Sequence, residues 1–145
     1  MKYRVVTEVV PGKLSILCLI VFLALLVACQ GNASTGKPEI KITEVPPKGA
    51  GPTQVERIAG TVSGVNTKEC KVVVFAHTDT WYVQPYIEGS DTEIRDSNTW
   101  HTDTHLGSEY AALLVRKSYK PPTTTGKLPE VGGQILAIVV VEGKP

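Results

Sequence analysis

From residue 55 to residue 143 the chain is a succession of short runs rich in β-branched and aromatic residues, each closed by turn-forming residues. The runs are VERIAGTVSGV (55–65), KVVVFAHT (71–78), WYVQPY (81–86), TEIR (92–95), TWHTDT (99–104), YAALLVRK (110–117) and ILAIVVVE (135–142). Strands side-step at every residue, so a chain punctuated by Gly, Asn, Asp, Ser and Pro every few positions fits strands and turns. No stretch of ten residues holds the 3.6-residue apolar period of a helix. Seven strands in about 90 residues predict an all-β fold, a single antiparallel two-sheet β-sandwich. The nearly continuous apolar run from Ile135 to Val141 predicts a central strand, covered on both faces.

The first part of the chain obeys different rules. Lys2, Arg4 and Lys13 stand against the single Glu8, and an uninterrupted apolar run follows from Ile16 to Ala28. Its 13 residues span roughly 20 Å as a helix, short of the ~30 Å core of a bilayer. A basic start, a short apolar run and a small residue at its end read as a secretory signal peptide over 1–28. Leu26, Val27, Ala28 and Cys29 close it, and LVAC resembles the lipobox of bacterial lipoproteins. That resemblance implies that Cys29 becomes the acylated N-terminus, and several acyl chains hold a protein on a membrane almost irreversibly. The implied location is extracytoplasmic. Gln30 stands where an Asp would resemble an inner-membrane retention signal, so in a cell with two membranes the outer one is expected.

With Cys18 in the signal and Cys29 committed to lipid, Cys70 is the one cysteine left in the body, which makes it a packing residue. Without Lys2, Arg4, Lys13 and Glu8, the 15 basic and 14 acidic residues become 12 and 13. A near-neutral body without a basic run gives no electrostatic footprint for nucleic acid. Residues 29–54 are rich in Gly, Ser, Thr, Lys and Pro and read as a flexible linker, although EIKITEV (39–45) alternates apolar and charged residues as an edge strand does. The domain is then 55–143. GNASTGK (31–37) imitates a phosphate-binding loop, but Pro38 replaces the magnesium-binding hydroxyl and neither strand nor helix flanks it.

A second resemblance covers the body. AGTVSG, KVVVFA, NTWHTDTHLGSEYAALLV and KSYKPP are similar to the prealbumin-like or carboxypeptidase-regulatory-like sandwich family, with Trp100, Gly107 and Tyr110 in the family's aromatic, glycine and tyrosine places. Ser97–Asn98 departs from the family's frequent Asp-Gly. TDTWYVQPY and THLGSEYAALLV also resemble modules of bacterial exported proteins. These likenesses imply a location and a fold, and no activity.

Two sets of side chains are candidate sites. On a strand, His101, Asp103 and His105 point the same way, and His77 repeats the His-Thr-Asp-Thr pattern at 77–80. Imidazole and carboxylate suit zinc, which would make the chain a metal-dependent enzyme. Against that, residues i and i+4 of a strand lie about 13 Å apart, too far for two imidazoles to share one ion without a bulge. The expectation is therefore no metal and no cofactor. The second set is Tyr82, Gln84 and Tyr86, an exposed row able to stack on sugar rings, with Trp81 on the opposite face in the core. Trp100 and Tyr110 are expected in the core as well. The acidic residues Glu88, Asp91, Glu93 and Asp96 read as a solvated loop. No GxSxG elbow or paired-cysteine motif supports nucleophilic catalysis. The expected function is a lipid-anchored binding or accessory module, not an enzyme, whose partners are the membrane and a glycan or envelope protein. The alternatives are the metal-dependent enzyme and a purely structural envelope protein.

Overall fold

The computed structural model describes residues 36–85 and 90–145. Among the described residues eight strands follow one another: β1 (Glu39–Glu44), β2 (Val55–Ser63), β3 (Cys70–His77), β4 (Trp81–Gln84), β5 (Thr99–His105), β6 (Glu109–Arg116), β7 (Thr124–Thr125) and β8 (Ile135–Glu142). They form a three-stranded sheet ordered β1-β2-β5 and a five-stranded sheet ordered β7-β4-β3-β6-β8, antiparallel at every ladder. The two sheets pack face to face, which is the all-β sandwich that the succession of short strand runs predicts.

Ile40, Ile58, Val62 and Trp100 from the smaller sheet meet Val72, Val74, Tyr110, Ala112 and Leu114 from the larger one. Trp100 and Tyr110 are both fully buried there. The alternate residues of the larger sheet, Val73, Phe75, Trp81, Val83, Ala111, Leu113 and Val115, form a second buried cluster on its outer face. The connection between β6 and β8 covers this face. It leaves β6, pairs β7 with β4 at the far edge of the sheet, and returns to β8 at the other edge. Tyr119 and Leu128 of that connection pack on the second cluster. β3 and β6 are thus covered on both faces, the setting in which a strand tolerates an unbroken apolar sequence such as VVVFA or AALLV.

Three expectations are corrected. The run 135–142 is a strand, but an edge strand. A continuous apolar sequence reports that both faces have cover and says nothing of whether both edges are paired. TEIR (92–95) is not a strand; Thr92 alone bridges to Val72, through two backbone hydrogen bonds of 2.9 Å. The segment 39–49 is part of the sandwich and not of a linker ending at 54. β1 pairs with β2 from Glu39↔Ser63 onward and sends Ile40 into the core. Beyond β1, the Lys48 N–H donates to the Lys144 carbonyl at 2.7 Å, and the Lys144 N–H donates to the Pro46 carbonyl at 2.9 Å.

Gly60 is what lets β1 dock. A Cβ there would stand 1.9 Å from the Lys41 carbonyl oxygen and 2.6 Å from the Trp100 ring, so only hydrogen fits between strand and indole. The turn before β5 needs a left-handed residue as well, and Asn98 supplies it with φ 60°. β5 passes to the other sheet through only Leu106, Gly107 and Ser108. Tyr110 braces that crossing: its hydroxyl accepts from the Gly107 N–H at 3.0 Å and donates to the Pro47 carbonyl at 2.7 Å.

A candidate ligand-binding cleft between β4 and β5

β4 belongs to the larger sheet and β5 is an edge of the smaller one, so the two face each other across the side of the sandwich. Trp81 and Val83 turn to the outer cluster, which by alternation directs Tyr82 and Gln84 toward β5. A cleft of about 250 Å³ opens there, lined by Tyr82, Gln84, His105, Thr78, Ala76 and Leu106, with Gly51 and Pro52 from the β1–β2 connection at its rim.

Gln84 is 1% exposed, which corrects its expected place in an exposed row. Its Oε1 accepts from the His105 backbone N–H at 3.1 Å and meets His105 Nδ1 at 3.0 Å. A backbone N–H only donates, so the atom facing it is the amide oxygen. His105 Nδ1 must then carry a proton to share that oxygen, which leaves the lone pair of the neutral ring on Nε2. The other end of the amide, Nε2 of Gln84, donates to the Tyr82 carbonyl at 3.4 Å. One buried side chain from the larger sheet thus closes a backbone donor at the edge of the smaller sheet and orients an imidazole.

Tyr82 is half-buried, and its hydroxyl donates to Asp79 Oδ1 at 3.1 Å. The Thr78 hydroxyl donates to the same oxygen at 2.9 Å. Thr78, a backbone amide and Tyr82, in that order, hold the Asp79 carboxyl below the usual carboxylate range. Tyr86 and Cys29 lie outside the described residues, as does Glu88.

The structure separates the histidines. The His77 ring lies tilted at 51° against Trp81, 4.8 Å between ring centroids, with Ser108 Oγ at 3.5 Å and a Glu109 carboxylate oxygen at 3.7 Å from Nδ1. His101 Nε2 lies 2.9 Å from Arg95 Nη2. A guanidinium only donates, so Nε2 of His101 accepts. Partial burial first, then the charges of Arg95 and Arg57, push the His101 pKa down. Asp103 sits exposed on β5 opposite Arg57. Among the described residues no three His, Cys, Asp or Glu side chains converge as a metal site does.

Two features escaped the sequence reading. The pairing of Gln84 with His105 joins residues 21 apart in sequence, and no local pattern announces it. Lys71 is nearly buried and pairs with Asp91 at 2.7 Å, so the acidic loop is not merely solvated. A charge inside the apolar run KVVVFA was the available signal. The hollow around that pair is about 340 Å³, and its one nearly buried charge, Lys71, is matched by Asp91. Cys70 beside it is buried, and burial pushes its thiol pKa up. A raised pKa withholds the thiolate that a nucleophile needs.

No protein-family model matches this chain, and no curated protein and no solved structure matches it.

Proposed function

We propose that this chain is a lipid-anchored extracytoplasmic binding protein whose ligand, a carbohydrate, enters the cleft between β4 and β5. The observation that carries the reading is the Gln84–His105 pair, held rigid at the base of a cleft beside the half-buried ring of Tyr82. A sugar presents a flat apolar face and a rim of hydroxyls. A tyrosine ring meets the first, while the His105 imidazole, oriented by Gln84, meets the second. The volume of about 250 Å³ falls below the roughly 300–1,000 Å³ of drug-sized pockets and suits a single ring or a chain end. The membrane half of the proposal rests on LVAC at 26–29, on the basic start before it, and on the resemblance of the body to sandwich modules of exported bacterial proteins. The protein acts by tethering: the lipid on Cys29 keeps the module at the envelope surface, where a nearby partner is met at high effective concentration.

A glycan screen on the purified protein, repeated with Tyr82→Ala, tests the cleft. Wild type is expected to retain a glycan, with Tyr82→Ala at least tenfold weaker. Retention of none, or equal retention by both, defeats the carbohydrate reading. Intact-mass measurement tests the anchor. Wild type is expected to carry acyl chains that Cys29→Ser lacks, and an unlipidated wild type defeats it.

A further inference from the structure

On the side of the sandwich away from the cleft, β1 at the edge of the smaller sheet faces β8 at the edge of the larger one. A groove of about 620 Å³ lies between them. Ile40, Leu136 and Ala137 line it from the core side. Val131 stands at its rim, 62% exposed, the most exposed large apolar side chain among the described residues. Open apolar surface of this kind marks a contact with something apolar. The acids beside it are matched, Glu39 with Lys41 at 3.2 Å and Glu130 with Lys127 at 3.1 Å, while Lys37 lies in the groove wall. The groove is also where the chain enters the domain. The Lys37 carbonyl packs so close to Gly64 that a Cβ there would clash, and Lys37 and Pro38 both line the groove.

We propose that the groove between β1 and β8 is a membrane-docking surface, which rests on the bilayer holding the lipid of Cys29 and sets Val131 into it. The inference depends on the anchor of the proposed function. Cys29 precedes Lys37 by eight residues, which span at most about 29 Å when fully extended. An anchor on Cys29 therefore keeps the groove within one short tether of the lipid, and the surface so held is apolar with a lysine at its border. Apolar side chains beside lysine settle at the boundary of headgroups and acyl chains of anionic lipid. The cleft lies at the other end of the strands. β2 runs from Ser63, opposite Glu39, to Val55, opposite His105, eight steps or about 26 Å. Docking at the groove thus leaves the cleft open to the aqueous side, where a glycan arrives.

Fluorescence quenching on the full-length chain, reconstituted into vesicles of phosphatidylcholine and phosphatidylglycerol that carry a nitroxide lipid, tests the docking. Intact mass first establishes that the chain is acylated. A fluorophore on Val131→Cys is expected to be quenched at least threefold more than one on Thr53→Cys, at the cleft end. It should also exceed, by a similar factor, one on Lys68→Cys, at the tether end but across the sandwich in the hollow around Lys71. If Val131→Cys fails to fold, the unsubstituted chain decides: in nanodiscs with the same nitroxide lipid, amide signals of residues 131–138 should broaden more than those of 67–69 and 78–82. An acylated chain with equal quenching at 131 and 68, or with uniform broadening, is merely near the bilayer, which overturns the docking and leaves the anchor standing. An unacylated chain defeats the anchor and the docking together. A label at 131 that lipid does not quench, but that is shielded from iodide as protein concentration rises, assigns the groove to a second copy and overturns the inference as well.

Discussion

At the scale of single residues, Gln84 carries more than its size suggests. Its oxygen is the acceptor for two donors of His105, one of them backbone, at a site 1% exposed. Replacing it by an isosteric apolar residue removes that acceptor from two part-buried donors, at about 1–3 kcal/mol. Gln84→Leu is expected to lower stability by that amount in urea unfolding, and Gln84→Glu, which keeps an acceptor oxygen, by less. Equal losses in the two variants would show that volume matters there and the hydrogen bonds do not. His101 predicts a pH dependence. Its folded pKa lies below that of the unfolded chain, so the unfolded state binds the proton more readily. The contribution of the neutral ring is fully present above the unfolded value of about 6.5 and is lost as pH falls through the folded value. Protonating Nε2 also sets a donor against the Arg95 guanidinium. Thermal melts of wild type from pH 7.5 to 5 should therefore fall more steeply than those of His101→Gln; parallel curves would rule this out.

At the scale of elements, β1 and β8 show how far a period-2 reading extends. EIKITE alternates as an edge strand should, and it is one. What its local pattern leaves open is the depth of docking, set by the space that Gly60 leaves for the Lys41 carbonyl and the Trp100 ring. Ile40→Ala opens a void in the core between the sheets and should cost about 2–5 kcal/mol. Lys41→Ala, on the exposed side of the same strand, should stay within about 0.5 kcal/mol of wild type. Chemical denaturation of both variants separates a docked strand from a linker, since in a linker neither change would register. For β8 the apolar run predicts cover above and below and is silent about the edge. Its place at the margin follows from the β6–β8 connection, which spends its length crossing the outer face to β4 and back.

At the scale of the whole molecule, the sandwich needs everything from about residue 37 onward. Fragment 36–145 should melt as one cooperative unit with a strand spectrum in circular dichroism. Fragment 55–145 lacks β1, Ile40 and the bonds of residues 46–48 to the C-terminal strand, and it should be less stable by several times the cost of a single core truncation. Comparable stability of the two fragments would return residues 36–54 to the role of a tether.

The amino-acid sequence alone determined the class of fold, because side-chain alternation and turn residues are local and survive in any context. It placed Trp100 and Tyr110 in the core and set Trp81 and Tyr82 on opposite faces of one strand, since the pleat leaves no other arrangement. The tertiary structure decided what depends on contact between distant segments: β8 at an edge, β1 in the core, and Gln84 inside the molecule against His105. Burial and pairing of that kind are properties of the path the chain takes between strands, and a local pattern carries no record of which neighbour arrives.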